Sequence, residues 1–284
     1  MAHRIGANAW IWVCPQTDES LADTARHVRE LGFDVLEVAV EEPGGWDPDR
    51  LAGVLAQHDL GAVVVTAMGP GRDLVSGDAG ITASTQDYLR HTVDVASRVG
   101  ARVVAGPFYS TVGLTYRMDA AERRRRLDEL ARALAPVLEH AEANGVRLAM
   151  EPLNRFETSL VNTVEQALEV IALVDHPALG LLLDTFHMNI EEKDQAAAIR
   201  AAGRHVAHVH ACGCDRGTPG ADHIAWPAIR EAIDEVGYDG PIVIESFTGD
   251  NDVIAKAAAI WRPLASSQDA LAADGLAFLR RTFG

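Results

Sequence analysis

Eight short apolar segments recur along the chain, and they constrain its fold more than any other feature of the sequence. They are RIGANAWIW, VLEVAV, GAVVVTAM, RVVAGP, RLAMEPL, LGLLLDTFH, VAHVHACG and PIVIESFT, and they begin near residues 4, 35, 61, 102, 147, 179, 206 and 241. Segments with helical periodicity separate them. Strands that are apolar along most of their length are typical of a parallel sheet that helices cover on both faces.

The number and spacing of these segments indicate one architecture. Division of 284 residues among eight strand–helix units gives about 35 residues per unit, which is typical of a (β/α)8 barrel. We therefore predict an α/β fold, a single TIM barrel domain over residues 1–284 with a C-terminal helical extension. A doubly wound open sheet is the alternative, but it would need a glycine-rich phosphate turn after the first strand, and GANAWIWVC has none.

The charge of the chain limits its partners. There are 25 Lys and Arg residues against 41 Asp and Glu, a net charge of -16. The resulting field repels polyanions, so we expect neither nucleic acid nor an anionic membrane as a partner. The arginine run 123–126 lies among Glu122, Asp128 and Glu129 on a predicted outer helix, and we interpret it as a solvated face.

Cysteine usage and the lack of long apolar runs suggest a reducing compartment. Cys14, Cys212 and Cys214 are too few and too unevenly placed for a disulfide framework, and we predict free thiols. No run approaches the roughly 20 apolar residues of a membrane span, and the N-terminal segment lacks the features of a signal peptide. We expect a cytoplasmic location.

Four consecutive predicted strands, the fifth to the eighth, end in a side chain that can bind a metal: Glu151, Asp184, His210 and Glu245. In a barrel the carboxyl ends of the strands converge on one axis, where polar residues are typically functional. Burying such charges without a partner costs several kcal/mol, and these strands contain no lysine. Three carboxylates and one imidazole suit a divalent cation, Mn²⁺ first, then Co²⁺ or Mg²⁺. We predict a metal centre here, the alternative being a metal-free polar core.

Further polar groups follow the same strands. Three of them would lie on the rim around a substrate: Glu157, His187 and Arg216. His208 shares the inward direction of His210 but lies deeper, and we predict a packed, hydrogen-bonded histidine. Glu37 and Glu41 are weaker candidates for the rim.

Aromatic residues at strand ends could form flat walls for a sugar, although each one alone is more often part of a core. They are Trp10, Trp12, Phe108, Tyr109 and Phe247.

The segments EPLNRFETSLVNT, LLLDTFHMNIEE, HVHACGCDRGTPGADHIAW and GYDGPIVIESF resemble those of the D-tagatose 3-epimerase and D-psicose (D-allulose) 3-epimerase family, within the xylose isomerase-like barrel superfamily. GPGRDLVSGD and GPFYSTVG are also similar. The resemblance covers most of the chain and is most specific in its second half. It implies a Mn²⁺- or Co²⁺-dependent enzyme that epimerises C3 of free ketoses, and a dimer or tetramer.

The resemblance also implies roles for individual residues. The four strand-end residues match the family's metal ligands, and Glu151 and Glu245 match its acid/base pair. Glu157, His187 and Arg216 match the residues that bind the O1 to O3 end of the substrate.

The chain departs from the family at the pocket. Asn8 stands where relatives usually carry an aromatic residue, Thr66 where some carry cysteine, and LTYRMD lacks a tryptophan that some relatives have. The preferred sugar therefore stays open.

Several other functions share part of this pattern of residues. An aldose–ketose isomerase or an inosose-processing enzyme could use the same barrel and metal, and hydroxypyruvate isomerase is a further relative with a smaller substrate. An apurinic endonuclease would need more histidines at the strand ends and a basic face. A non-catalytic sugar-binding subunit would not require two opposed glutamates. The loop GTPGADH with Arg216 could hold a phosphate.

Overall fold

The chain, in a computed structural model that describes residues 2–284, forms a closed barrel of eight parallel strands in chain order. The strands are β1 (Ile5–Asn8), β2 (Val35–Val40), β3 (Gly61–Thr66), β4 (Val103–Gly106), β5 (Arg147–Met150), β6 (Leu179–Asp184), β7 (Val206–His210) and β8 (Ile242–Ile244). Pairing of β1 with both β2 and β8 closes the sheet. The predicted TIM barrel is confirmed, and each strand begins within one residue of its predicted start.

Helices surround the barrel. They are α1 (Asp18–Leu31), α2 (Pro48–Gln57), α3 (Ala79–Arg98), α4 (Ala120–Ala143), α5 (Val164–Val174), α6 (Thr185–Glu191), α7 (Gln195–Ala202), α8 (Trp226–Glu235), α9 (Asp252–Ala257) and α10 (Gln268–Phe283). Most begin after a Thr, Asp, Asn or Ser whose side chain accepts from the first-turn amides. The last helix, α10, packs against β1, β8 and α8, and so closes the outer ring of helices.

Two apolar layers follow from the alternation of side chains along the strands. In β2, Leu36, Val38 and Val40 belong to the main core that the helices cover, whereas Ala39 belongs to a second apolar cluster that includes Ala149 of β5. Successive side chains of a strand point to opposite faces, so this second cluster lies inside the barrel. The interior above it holds the polar residues of the strand ends.

The surface features agree with the sequence predictions. The arginine run of α4 is neutralised by carboxylates, since Arg124 pairs with Asp128 and both Arg125 and Arg126 pair with Glu122. All three cysteines are free thiols. Within residues 2–284, no helix combines the length and the apolar character that a membrane crossing requires.

Candidate metal centre and substrate pocket

The four predicted metal ligands come together at the carboxyl end of the barrel. Asp184 and His210 are the last residues of β6 and β7, and Glu151 and Glu245 directly follow β5 and β8. One ligand atom of each lies within 4.8 Å of those of the other three, and all four side chains are buried. Neighbouring parallel strands place their ends side by side, which is why residues far apart in the chain meet here.

Several buried polar atoms of this cluster lack a hydrogen-bond partner. His210 Nδ1 is 3.5 Å from Glu245 Oε1 and 4.0 Å from Glu151 Oε1, too far for hydrogen bonds. Nδ1 of His210 and Oε1 of Glu151 are both buried and unpaired among the described residues. An unpaired buried polar atom costs about 1–3 kcal/mol. Oxygen and nitrogen donors that converge in this way fit a divalent cation.

The charges of the site fit the same ion. Arg216 Nη1 lies 2.8 Å from Asp184 Oδ2 and 2.6 Å from Glu245 Oε2. When all three carboxylates are ionised, they and the guanidinium sum to two net negative charges, which a divalent cation would neutralise.

The two glutamates have pKa values displaced in opposite directions. Burial, together with the charge of Glu245, raises the pKa of Glu151 well above its ordinary value. Burial also disfavours the charged form of Glu245, but His210 and Arg216 outweigh it and lower that pKa. Burial raises the pKa of Asp184 to about 6 against the opposing charge of Arg216. The two glutamates therefore differ in their affinity for a proton, as an acid/base pair requires.

His187 presents a neutral imidazole to this cluster. It lies on α6, whose first turn is fixed by Asp184 Oδ1, which accepts from the amide of Phe186 at 2.8 Å. The backbone amide of Asn154 donates to His187 Nδ1 at 3.0 Å, and Arg216 Nη2, which can only donate, lies 3.0 Å from His187 Nε2, so donors face both ring nitrogens. That Nε2 is 3.6 Å from Glu151 Oε1. Burial and then Arg216 lower the pKa of His187 well below its ordinary value, which keeps the ring neutral.

Glu157 and Arg216, the other two residues predicted for the substrate rim, lie beside His187. Arg216 is buried with a positive φ of 68°, and its guanidinium stacks 4.1 Å from the ring of Phe186. Its Nη2 is 3.9 Å from Glu157 Oε1. Asn154 Nδ2 donates to that same oxygen at 2.8 Å, so Asn154 links Glu157 to His187. Asn154 was not among the residues predicted for the site, although its position between Glu151 and Glu157 in EPLNRFET was a usable signal.

Glu37 lies inside the barrel, so its placement on the rim was wrong. It is the third of six residues in β2 and is fully buried, below the strand end. Its carboxylate accepts from His208 Nε2 at 2.7 Å, and His208 is packed and hydrogen-bonded as predicted. Glu41, beyond the strand end, accepts from Trp10 Nε1 at 2.7 Å and from the amide of Gln16.

Two of the aromatic candidates line the site, and two others belong to the core. Trp10 and Phe247 face each other with ring centroids 5.8 Å apart, and Phe247 lies 5.2 Å from the Arg216 guanidinium. Phe108 and Tyr109 are fully buried, and the Tyr109 hydroxyl donates to the carbonyl of Glu151. Trp10 and Phe247 therefore form an apolar wall beside the polar centre.

Trp12 and the two residues that depart from the family, Asn8 and Thr66, each form a different hydrogen bond. Trp12 Nε1 donates to Asp269 at the start of α10. Asn8 is fully buried and donates to Glu37 Oε1 at 2.8 Å. Thr66 is buried and donates to the carbonyl of Ala105 at 3.3 Å.

Comparison with known proteins gives consistent matches over the whole chain. A family model described as xylose isomerase-like TIM barrel matches residues 25–282. A probable ketose 3-epimerase of Synechocystis sp. is 38% identical over 90% of this chain and 88% of its own length. An L-ribulose 3-epimerase of Mesorhizobium japonicum is 35% identical over 97% of this chain and 93% of its own.

Solved structures show similarity to the same kind of enzyme. A structure of L-ribulose 3-epimerase superposes with a TM-score of 0.93 and 34% identity over 100% of this chain and 95% of that one. A D-allulose 3-epimerase from Methylomonas sp. in complex with D-allulose superposes with a TM-score of 0.92 and 27% identity over 99% and 98%. The chain therefore belongs to the xylose isomerase-like TIM barrel family, among relatives named ketose 3-epimerases.

Proposed function

We propose that this protein is a metal-dependent isomerase that epimerises free ketoses at C3. The observation that carries the proposal is the pair of buried glutamates, Glu151 and Glu245, which arise from different strands of one cation-binding cluster and have oppositely displaced pKa values. Relatives named ketose 3-epimerases over most of the chain support it.

The chemistry is proton removal from a carbon beside a carbonyl, which is a weak acid. A bound divalent cation would supply stabilisation for the negative charge that develops on the substrate oxygens. Glu151, Asp184, His210 and Glu245 would hold it, with Mn²⁺ as the proposed ion and Co²⁺ or Mg²⁺ as alternatives.

Glu245 and Glu151 then each carry out one of the two proton transfers. Glu245, ionised, takes the proton from C3, and the substrate becomes an enediolate. Glu151, protonated, returns a proton to the other face of the same carbon, and in the reverse direction the two exchange roles. His187 and Arg216 stabilise the enediolate oxygens, and Glu157 positions the hydroxyls near O1 to O3.

A free sugar suits the pocket better than a phosphorylated one. In the loop after β7, the amide of Gly217 donates to Asp215 and the amide of Gly220 donates to Asp222. These donors are already engaged, and the two carboxylates would repel a phosphate. This supports free ketoses of the tagatose, fructose and psicose class as substrates.

A ketose panel tests the function. We expect C3 epimers from free ketoses in the presence of Mn²⁺, little product after chelation, and incorporation of solvent deuterium at C3. Glu151→Gln and Glu245→Gln should each lower turnover by a factor of about 10²–10⁴, since each removes an acid/base group. Exchange at C3 that survives in both folded variants would contradict the mechanism.

The same assay distinguishes the alternative. An aldose–ketose isomerase, or an inosose-processing enzyme on this barrel, would yield an aldose or no ketose epimer. The relatives named 3-epimerases do not favour these reactions.

The remaining expectations belong to the same proposal. We propose one domain over residues 1–284, a cytoplasmic location, a homodimer or homotetramer, and no nucleic-acid or membrane partner. The net charge of -16 supports the exclusion of polyanions. Light scattering after size-exclusion chromatography measures the assembly, and a monomer would contradict it.

A further inference from the structure

Beneath the metal centre lies a second buried polar cluster, formed by Glu37, His208 and Asn8 together with the proposed ligand His210. The proposed reaction assigns no role to the first three. All four side chains are at most 1% exposed. A buried carboxylate requires hydrogen-bond donors, because an ionised group without them costs several kcal/mol in the interior. The hydrogen-bond donors around Glu37 therefore indicate its role.

The hydrogen bonds of Glu37 occupy both of its oxygens. Oε2 accepts from His208 Nε2 at 2.7 Å, and Oε1 accepts from Asn8 Nδ2 at 2.8 Å. His210 Nε2 lies between the two oxygens, 2.9 Å from Oε1 and 3.1 Å from Oε2. Because a carboxylate only accepts, the nitrogens that face it must carry protons.

This arrangement decides which nitrogen of His210 is free. A neutral imidazole has one N–H and one lone pair. With its proton on Nε2, His210 directs the lone pair of Nδ1 at the centre, and Nδ1 is the atom without a hydrogen-bond partner. Metal-binding histidines commonly donate their second nitrogen to a carboxylate, which fixes both the tautomer and the ring plane.

A separate cation site on Glu37, His208 and His210 explains the geometry less well. One ligand atom of each lies within 4.8 Å of the others. However, both Nε2 atoms lie at hydrogen-bond distance from the carboxylate, and an ion there would leave His210 no N–H to donate.

We propose that Glu37 is a positioning residue for the metal centre. It fixes the Nε2–H tautomer and the orientation of His210, and Asn8 in turn fixes Glu37 by holding Oε1. Asn8, which stands where relatives usually carry an aromatic residue, thus supports the metal site from inside the barrel. The inference rests on the proposed metal centre.

Mn²⁺ binding, measured by isothermal titration calorimetry on metal-stripped protein, tests the inference. Glu37→Gln keeps the shape of the side chain but replaces one acceptor oxygen by a donor. In either orientation of the amide, that donor would lie within 3.1 Å of His210 Nε2 and oppose its N–H. We expect its Mn²⁺ affinity to fall by a factor of about 10–100, the range typical for loss of such a partner. Asn8→Leu should cause a smaller loss, because Glu37 keeps both imidazoles.

Glu41→Gln is the matched control. It makes the same chemical change one residue beyond β2 and disturbs two hydrogen bonds, to Trp10 and Gln16, without touching a ligand. We expect its Mn²⁺ affinity to stay within about threefold of the parent, since neither bond reaches the ligands. A folded Glu37→Gln variant with parental affinity would overturn the role of Glu37. If the parent itself binds no Mn²⁺, the proposed centre fails together with this inference.

A measurement on the unaltered protein covers the case in which Glu37→Gln does not fold. In the Mg²⁺-loaded protein with ¹⁵N-labelled histidine, long-range nitrogen–proton correlation spectra identify the protonated ring nitrogen. We expect His210 to carry its proton on Nε2. A proton on Nδ1 would overturn the proposal.

Discussion

At the scale of single residues, Asn154 links two of the proposed substrate contacts. Its backbone amide donates to His187 Nδ1, and its side chain donates to Glu157. Only the second of these contacts can be removed by mutation.

We therefore predict that Asn154→Ala raises KM more than it lowers kcat. Loss of a buried hydrogen bond to a charged group costs about 1.5–3 kcal/mol, so kcat/KM should fall by a factor of about 10–100. Steady-state kinetics on a ketose substrate measures this. The neighbouring Arg155→Ala removes the ion pair between an exposed guanidinium and Glu191. It should change kcat/KM by less than about threefold, since Arg155 bonds neither Glu157 nor His187. Equal effects of the two variants would refute the role of Asn154.

At the scale of elements, the end of β4 supports Glu151, the first of the proposed metal ligands. Gly106 has a φ of +130°, and its carbonyl accepts from the amide of Glu151 at 3.1 Å. A Cβ at this position would lie 2.4 Å from Thr66 Oγ1 on the adjacent β3. Glycine is required here for both reasons.

Gly106→Ala should therefore destabilise the barrel by about 2–5 kcal/mol, from backbone strain and overpacking together. Gly100→Ala is the control, because it has a φ of +77° but nothing within 4 Å of the added Cβ. Its cost should be about 1–2 kcal/mol. Thermal unfolding measures both, and Thr66→Ala should recover part of the loss at Gly106. Equal losses in the two glycine variants would refute the steric argument.

The loop between β3 and α3 contains a buried acid. Burial raises the pKa of Asp73, although the amide of Val75 donates to its carboxylate. Because the folded pKa lies above the unfolded one, the protonated form stabilises the fold. This stability is fully present below about pH 4, the unfolded pKa, and is lost as pH rises through the folded pKa.

Asp73→Asn mimics the protonated form and keeps an oxygen for Val75. We predict a higher melting temperature than the parent at pH 7 and little difference at pH 3.5, as measured by calorimetry. Asp78→Asn at the N-cap of α3 should change neither, since Asn and Asp cap helices about equally. A larger gain for Asp73→Asn at low pH would contradict the sign of the shift.

At the scale of the whole molecule, the proposed metal would join β5, β6, β7 and β8. An ion that binds only the folded state stabilises it by about 2.7 kcal/mol at a concentration 100 times Kd. We predict that Mn²⁺ raises the melting temperature by several degrees and that a chelator reverses the rise. Asp184→Asn should abolish most of this shift. An unchanged shift in that variant would place the ion elsewhere.

The sequence by itself determined the barrel and the four residues that meet at its mouth. Both depend on local pattern, since apolar runs mark strands buried on two faces and the residue that ends each run lies at the carboxyl edge. The positions of Asp184 and His210 at the ends of β6 and β7 follow from this rule alone.

The tertiary structure decided how those residues are supported. Glu37 and His210 are 173 residues apart in the chain, and only closure of the barrel brings their side chains within hydrogen-bond distance. The same closure brings Asn8 within hydrogen-bond distance of Glu37. It also separates the pKa values of Glu151 and Glu245, because burial acts on both glutamates while His210 and Arg216 lower the pKa of Glu245 below its ordinary value. Local pattern locates a strand end, whereas hydrogen bonding and charge depend on which strand ends become neighbours.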